Sequence, residues 1–270
     1  RRKARLGVRK LHELQLVGFR EAFGGRIVKM DKCLALTPPF DDLFPALADL
    51  ISQLSIPDAI PQIETAVGDN QAALVIRHLE PLTAKDARVL GDFQIRHNLQ
   101  IYTQSKGYET VAPLLAEPPL LNYSLPEFGL NLEFSVTDFI QVNREINADL
   151  IRCVAGALEA RKASPMIVAD MFCGIGNFSL PLARRGHLVR GWEAAEAAID
   201  RACSNARRNG LENRTRFAVA DLYGQPGDKK LKTPVADIGD VDAIVLDPPR
   251  SGAGPALASW LGRQVQTVVY

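Results

Sequence analysis

Four acidic side chains stand at the ends of short apolar stretches in the second half of the sequence. They are Asp170, Glu193, Asp221 and Asp247. Short apolar stretches are typical of buried parallel strands, and the carboxyl ends of such strands meet along one edge of a sheet. A carboxylate at that edge can accept hydrogen bonds from hydroxyl groups or attract a cation. The four residues therefore predict a shared ligand site.

A glycine-rich turn follows the first of these carboxylates, in the order Asp170-Met171-Phe172-Cys173-Gly174-Ile175-Gly176-Asn177-Phe178. Glycines let a backbone approach a ligand closely. A dinucleotide fingerprint would need a third glycine at Ser179, and Asp170 would repel a pyrophosphate while suiting a cationic methionine moiety. The turn thus favours S-adenosylmethionine over NAD. An NAD-dependent oxidoreductase with the same sheet and a tight turn without a ligand are the alternatives.

The other three carboxylates fit the same ligand. Glu193 comes about twenty residues after the turn, where a carboxylate can accept hydrogen bonds from both ribose hydroxyls. Asp221 is expected near the adenine, with a surface-loop residue as the alternative. Asp247 is followed by two prolines that rigidify the loop after the strand, and it is expected to lie beside the substrate.

Alternating elements are predicted to position these residues from about residue 143 onward. Helices are predicted over 144–161, 177–185, 195–208 and 254–263, and strands over 166–170, 188–193, 214–219, 243–246 and from 266. This alternation predicts an α/β fold with a Rossmann-like parallel sheet.

The first half of the sequence has a mixed pattern and predicts a smaller α+β domain. Strand patterns lie at 10–19 and 26–30, helical spacing at 41–54, and hairpins at 62–67 with 72–78 and at 120–125 with 130–135. Thr83 and Asp86 can cap a helix that runs to about His97. We expect two domains, with residues 1–142 preceding residues 143–270.

Composition is that of a folded globular protein, with 47% hydrophobic and 23% charged residues among 270. The apolar runs are far shorter than the roughly 18 to 20 residues that cross a bilayer, so we expect a cytoplasmic protein without a membrane contact, and a monomer. Four widely spaced cysteines and four scattered histidines give neither a disulfide framework nor a zinc site.

Positive charge is concentrated at the start of the sequence, although the net charge is only +1. Residues 1–32 contain ten Lys or Arg, among them Arg1, Arg2 and Arg5, against three acidic residues. Such a segment can attract nucleic-acid phosphates by counterion release. A solvated surface is the alternative.

Three motifs resemble those of the uracil-5 RNA methyltransferases. The turn at 170–178 resembles the family's DLFCGxGNF motif, residues 246–252 resemble its DPPRxG motif, and residues 138–143 resemble its F-x-Q-x-N segment. Residues 1–6, Gly18-Phe19-Arg20 and Lys32-Cys33 resemble the branch that methylates a uridine of 23S rRNA and holds a [4Fe-4S] cluster. The resemblance covers essentially the whole chain.

The resemblance implies S-adenosylmethionine-dependent methylation of uridine C5 to 5-methyluridine, through a cysteine thiolate that adds to C6. The substrate it implies is RNA, and 23S rRNA first, with tRNA or another rRNA site as the alternative. Arg1, Arg2 and Arg5 would contact the RNA. Phe139 would stack on the base, unless it is a core aromatic. The resemblance places seven residues around the cofactor, with Asp247 also near the base: Gln141, Phe172, Gly174, Asn177, Glu193, Asp221 and Asp247.

Two parts of the family pattern fall outside the sequence. Cys33 matches the last of four cluster ligands, and the other three would precede Arg1. The nucleophilic cysteine is expected after Tyr270. Structural roles are expected for the remaining cysteines, Cys153, Cys173 and Cys203. We therefore expect a piece that lacks both ends of the family pattern and binds cofactor and RNA without turnover.

Overall fold

The computed structural model describes residues 1–160, 165–223, 240–254 and 265–270. The chain divides into two compact units. The N-terminal unit comprises Arg1–Tyr123, Ser135–Thr137 and Val142–Arg144, and the C-terminal unit comprises Ser124–Phe134, Asp138–Gln141 and Glu145–Tyr270. The domain boundary between residues 142 and 143 stays a prediction. No helix in the described ranges is long and apolar enough to cross a membrane.

The N-terminal unit is built on a mixed six-stranded sheet with the order β2-β1-β3-β4-β5-β6. The strands are β1 (Lys3–Leu11), β2 (Leu14–Gly18), β3 (Gln62–Val67), β4 (Ala72–Arg77), β5 (Leu99–Gln104) and β6 (Ala112–Pro113). Strands β4 and β5 are parallel, and the other neighbours are antiparallel. Two helices complete the unit, α1 (Phe44–Ser52) and α2 (Ala84–His97).

The two helices cover one face of this sheet. Ile63 and Ile76 of the sheet belong to the same buried cluster as Phe44 of α1 and Leu90 of α2. Because strand side chains alternate between faces, the residues next to these isoleucines point to the other face. The capping box predicted for α2 is present, since Thr83 and Asp86 exchange side-chain and backbone hydrogen bonds.

Two strand predictions for the N-terminal unit are wrong. Residues 10–19 are not one strand, because β1 and β2 form a hairpin whose turn holds His12 at a left-handed φ of 54°. Residues 26–30 form no strand in the described chain, where Ile27 makes only an isolated bridge to Arg20. The helix at 41–54 and the hairpin at 62–78 are confirmed as α1 and as β3 with β4.

The C-terminal unit contains a five-stranded parallel sheet with the order β11-β10-β9-β12-β13. Its strands are β9 (Ile167–Met171), β10 (Leu188–Glu193), β11 (Thr215–Val219), β12 (Ala243–Leu246) and β13 (Thr267–Val269). Its helices are α3 (Arg144–Glu159), α4 (Ser179–Arg184) and α5 (Glu196–Arg208), and the hairpin of β7 (Leu121–Leu125) and β8 (Leu130–Phe134) precedes them in the chain.

The predicted alternation of helices and strands is confirmed in this sheet. Strands β10 and β12 have the predicted bounds, and the others differ at their ends. The helix predicted over 254–263 lies outside the described residues apart from Gly254. The chain builds β9, β10 and β11 toward one edge and then returns to place β12 on the other side of β9. Ligands bind at such a switch point, at the carboxyl ends of the strands.

Candidate functional site

A cavity of about 380 Å³ opens at the carboxyl ends of the parallel strands. The described residues that line it follow β9, β10, β11 and β12 or belong to the segment before α3. They are Phe139, Phe172, Gly174, Glu193, Ala194, Ala220, Leu222, Tyr223, Asp247, Pro248 and Pro249. The sequence motifs that predicted a ligand site therefore meet at one place.

The turn from β9 into α4 has a left-handed backbone at three positions. Gly174 and Gly176 have φ values of 52° and 94°, and Phe172, which carries a side chain, has a φ of 66°. A β-carbon on Gly176 would also approach Leu180 Cγ to 3.1 Å. A bulky residue held at positive φ stores strain, and such strain is concentrated at ligand sites. The turn therefore directs the Phe172 ring into the cavity at a cost in backbone energy.

Asp170 is fully buried at the end of β9 and accepts a hydrogen bond from Ser179 Oγ. Its Oδ1 has no hydrogen-bond partner among the described residues. The pKa of Asp170 is raised to about 7, chiefly by burial and also by the charges of Asp247 and Glu193, while the hydrogen bond from Ser179 opposes the rise. A positive charge in the cavity would favour its ionised form.

Glu193 ends β10 and is held by the backbone of the two residues that precede α5. Its Oε1 accepts the N–H of Ala194 over 2.8 Å and that of Ala195 over 3.2 Å. These bonds fix the carboxylate at the cavity wall. The geometry leaves Oε2 as the oxygen that could accept hydrogen bonds from a ligand.

Gln141 and Asp247 form a pair that the sequence placed in one site. Gln141 Nε2 donates to Asp247 Oδ2 over 2.9 Å. Burial raises the pKa of Asp247, and the hydrogen bond from Gln141 acts in the opposite direction. Phe139, two positions before Gln141, lines the cavity with 75% of its surface exposed, so it is not a core aromatic.

Three predicted cofactor residues, Gln141, Asn177 and Asp221, are not among the residues that line the cavity. Asn177 exchanges two amide hydrogen bonds with Asn147 of α3, over 2.8 and 2.9 Å. Asp221 is exposed, and its Oδ1 accepts the backbone N–H of Tyr223 over 2.9 Å. The side chain of Asn177 thus bonds to α3, and that of Asp221 bonds within its own turn. The neighbours of Asp221, Ala220 and Leu222, line the cavity instead.

Tyr223 is a lining residue that the sequence motifs did not indicate. Its ring lies 5.5 Å from the Phe172 ring, between centroids. Its hydroxyl donates to Gly252 O over 2.8 Å and accepts from Ser251 Oγ over 3.0 Å. Tyr223 therefore connects the wall after β11 to the loop after β12. An aromatic residue two positions after Asp221 is the signal that could have found it.

The charge of the cavity is negative. Glu193 and Asp247 line it, and the lining that the structure describes includes no Lys or Arg. Both carboxylates are close enough to Asp170 to raise its pKa. Such a site favours a cation and disfavours a pyrophosphate.

One of the three arginines predicted to contact RNA requires a correction. Arg2 is 7% exposed, its Nη2 pairs with Asp69 Oδ1 at 2.5 Å, and its guanidinium lies over the Tyr123 ring. Those contacts give Arg2 a structural role in the N-terminal unit. Arg1 and Arg5 are exposed, and Arg5 pairs with Glu64 at 3.0 Å.

None of the cysteines of the C-terminal unit lines the cavity. Cys153 is exposed on α3, Cys203 is half-buried on α5, and Cys173 is buried in the turn, where burial raises the pKa of its thiol. Cys33 packs against the buried cluster of the N-terminal unit. The described residues contain no group of three or more His, Cys, Asp or Glu that could hold a metal ion.

The fold places the chain in the class of Rossmann-like α/β proteins. The crystal structure of Pyrococcus abyssi tRNA (uracil-54, C5)-methyltransferase in complex with S-adenosyl-L-homocysteine matches with a TM-score of 0.65 and 21% identity. The match covers 95% of this chain and 62% of that one. The predicted fold class is thereby confirmed.

Within that class, residues 125–270 match the tRNA (uracil-5-)-methyltransferase family, and the chain belongs to it. The 23S rRNA (uracil(1939)-C(5))-methyltransferase RlmD of Ralstonia pickettii is 42% identical over 94% of this chain and 55% of its own length. The protein of the same name from Alkalilimnicola ehrlichii is 43% identical over 100% of this chain and 60% of its own length. The chain thus spans little more than half the length of these relatives.

Proposed function

We propose that the chain is the cofactor-binding and RNA-contacting part of an enzyme that methylates uridine C5 in 23S rRNA with S-adenosylmethionine. The observation that carries the proposal is the negative cavity at the switch point of the parallel sheet, with Glu193 and Asp247 on its wall. The names of the 42–43% identical relatives support 23S rRNA as the substrate. The similarity to a methyltransferase solved with S-adenosyl-L-homocysteine supports the cofactor.

Each wall of the cavity has a role in binding this cofactor. Glu193 Oε2 accepts hydrogen bonds from the ribose hydroxyls, while the backbone N–H groups of Ala194 and Ala195 hold Oε1. The rings of Phe172 and Tyr223 provide apolar contact for the adenine. The carboxylates favour a sulfonium cation by Coulomb attraction.

The exposed ring of Phe139 is placed to stack on the target base. A base must leave its stack before an enzyme can reach its ring atoms, so a single-stranded or loop RNA is the expected substrate. Gln141 orients Asp247, which lies near the base in this proposal. When bound, S-adenosylmethionine supplies a methyl group on a positively charged sulfur.

Uracil C5 becomes nucleophilic only after a thiolate adds to C6. C5 then takes up the methyl group, and a base removes the C5 proton as the C6–sulfur bond breaks and releases the thiolate. The thiolate that the resemblance implies is expected after Tyr270. No cysteine of the C-terminal unit is among the described residues that line the cavity, so none is assigned this role.

The iron–sulfur cluster rests on the resemblance alone. A cubane cluster needs four ligands, and Cys33 supplies one thiolate in a described chain that contains no group of three or more candidate ligands. The residues present therefore do not fit the cluster by themselves. No step of the proposed function depends on it.

Calorimetric titration tests the cofactor. We expect S-adenosylmethionine and S-adenosylhomocysteine to bind with one site per chain and NAD to give no heat. Binding of NAD without S-adenosylmethionine would favour an oxidoreductase. The RNA substrate is tested by competition between a 23S rRNA fragment and a tRNA transcript. A preference for tRNA would favour the alternative, in which tRNA is the substrate.

A further inference from the structure

A second cavity, of about 470 Å³, opens on the sheet of the N-terminal unit. It is lined from four strands by Arg5, Gln62, Glu64, Arg77 and Gln104, and from the next loop by residues 105–108. These strand positions alternate with the buried isoleucines that face α1 and α2, so the cavity lies on the face of the sheet opposite these two helices.

The single carboxylate of this cavity is already neutralised. Glu64 Oε1 pairs with Arg5 Nη2 at 3.0 Å and accepts Gln62 Nε2 over 2.9 Å. The hydroxyl of Tyr108 donates to the same oxygen over 3.4 Å and accepts from Arg5 Nη2 over 2.8 Å. The charges of Arg5 and Glu64 therefore cancel. Any other cationic side chain of the cavity has no further carboxylate among the lining residues to pair with.

Arg77 is such a cation. It stands between Gln62 of β3 and Gln104 of β5 in the strand register, half-buried, and its Nε is buried without a hydrogen-bond partner in the described chain. A buried donor without a partner costs free energy, and a charged one costs more. An anion in the cavity would give the charge of this guanidinium a counter-ion.

Lys106 is the second such cation, and its loop is fixed. Gln104 is 5% exposed and donates from Nε2 to Lys106 O over 3.2 Å. The backbone N–H of Lys106 donates to Thr110 Oγ1 over 2.9 Å. These bonds hold the loop in place, so the cavity has two cations, Arg77 and Lys106, beyond the neutral pair of Arg5 and Glu64.

We propose that Arg77 and Lys106 bind a phosphate group of the RNA substrate in this cavity. A guanidinium can donate two parallel hydrogen bonds to a phosphate, and an ammonium adds a point charge. Gln62 and Gln104 supply further polar contacts. This assignment rests on the proposed function for its occupant, because a phosphate from a small molecule would offer the same oxyanion.

The test uses the full 270-residue chain with Arg77→Gln and Lys106→Gln, and the exposed positions Arg88→Gln and Lys85→Gln of α2 as matched controls. Affinity for a single-stranded 23S rRNA fragment is measured by fluorescence anisotropy from low to moderate salt. Each cavity variant should lose roughly three- to tenfold in affinity and lower the log–log salt slope by about 1. The controls should stay near the unchanged chain, and Arg77→Lys should retain most of the affinity.

Three other results would overturn the assignment. If the unchanged chain binds RNA and the cavity variants match their controls, the site is wrong while the proposed function stands. If RNA does not bind but a nucleoside monophosphate does, and Arg77→Gln abolishes that binding, the RNA occupant is wrong. If neither ligand binds, both the site and the RNA part of the proposed function fail. Thermal melting and S-adenosylmethionine titration of each variant show whether it is folded.

Discussion

Gln141 Nε2 donates to Asp247 Oδ2 over 2.9 Å and joins two residues that are 106 positions apart in the sequence. Gln141 precedes α3, and Asp247 follows β12 at the cavity. Burial raises the pKa of Asp247, and the hydrogen bond lowers it by stabilising the carboxylate. The hydrogen bond from Gln141 therefore opposes the effect of burial on Asp247 and orients its carboxylate.

Replacing Gln141 with Ala should raise the pKa of Asp247 further, since burial would act without opposition. In the proposed function the ionised carboxylate attracts a cationic cofactor, so affinity is lost as pH falls through the pKa of Asp247. In Gln141→Ala that loss should begin at a higher pH. Titration of S-adenosylmethionine from pH 4.5 to 8 measures the displacement. When both chains also carry Asp247→Asn, Gln141→Ala should no longer change the pH dependence of the affinity. A change that persists would assign the pH dependence to another group.

Replacing Glu193 with Ala should weaken S-adenosylmethionine binding by about tenfold or more. The loss follows from hydrogen bonds between ribose hydroxyls and a carboxylate, which contribute roughly 1.5 to 3 kcal/mol. The matched control is Glu196→Ala, in the first turn of α5 and outside the cavity lining. Equal affinities of the two variants would remove Glu193 from the site.

Two substitutions of Phe172 distinguish the energetic cost of its backbone conformation from the contact that its ring makes with the cofactor. Its φ of 66° costs about 1 kcal/mol or more for a residue with a side chain, and glycine adopts this region without that cost. Phe172→Gly should therefore be more stable than Phe172→Ala by about 1 kcal/mol in chemical denaturation. Both variants should lose cofactor affinity, because both lose the ring. A less stable glycine variant would mean that the turn relaxes when the ring is removed.

Asp170 should make the stability of the C-terminal unit depend on pH. Its pKa is 3.8 when exposed and about 7 in the folded chain, so the folded state retains the proton over that range and the unfolded state does not. Stability should thus fall as pH rises from about 4 to 7, by an amount of the order of 4 kcal/mol. Asp170→Asn removes the titration while keeping an acceptor for Ser179. Urea unfolding at pH 4.5 and 7.5 measures the free energy of unfolding of both chains. The variant should be more stable relative to the unchanged chain at pH 7.5 than at pH 4.5. An equal stability difference at both pH values would contradict the raised pKa of Asp170.

The parallel sheet was predictable because its strands are short apolar runs bounded by glycine or acidic residues. The β1–β2 hairpin was not, because Leu11-His12-Glu13-Leu14 contains neither glycine nor proline, the residues that usually mark a turn. His12 takes the left-handed conformation instead. Strand β5 was missed for another reason: both of its faces are largely buried, so Leu99–Gln104 lacks a simple alternation of apolar and polar residues.

The site was predictable where its residues stand at strand ends. Phe172, Gly174, Glu193 and Asp247 came from spacing and motif, and all line the cavity. Tyr223 and the pairing of Asn177 with Asn147 depend on contacts between residues distant in sequence, and no periodicity reports such contacts. The burial of Arg2 was hidden for the same reason, since its partner Asp69 lies in the turn after the neighbouring strand β3 and is distant in sequence.

The 270-residue chain should bind S-adenosylmethionine and transfer no methyl group. A nucleophilic thiol must reach the base beside the cofactor, and Cys153, Cys173 and Cys203 are all absent from the described lining of the cavity. Cys173 is also buried, with a raised pKa that lowers its thiolate fraction. Without addition to C6 the C5 carbon gains no nucleophilic character, so activity should be absent rather than reduced. Radiolabelled methyl transfer to unmodified 23S rRNA measures this, beside a longer chain that continues through the nucleophilic cysteine expected from the resemblance. Turnover by the shorter chain at a similar rate would contradict the prediction, and serine variants of the four cysteines would then identify the thiol responsible.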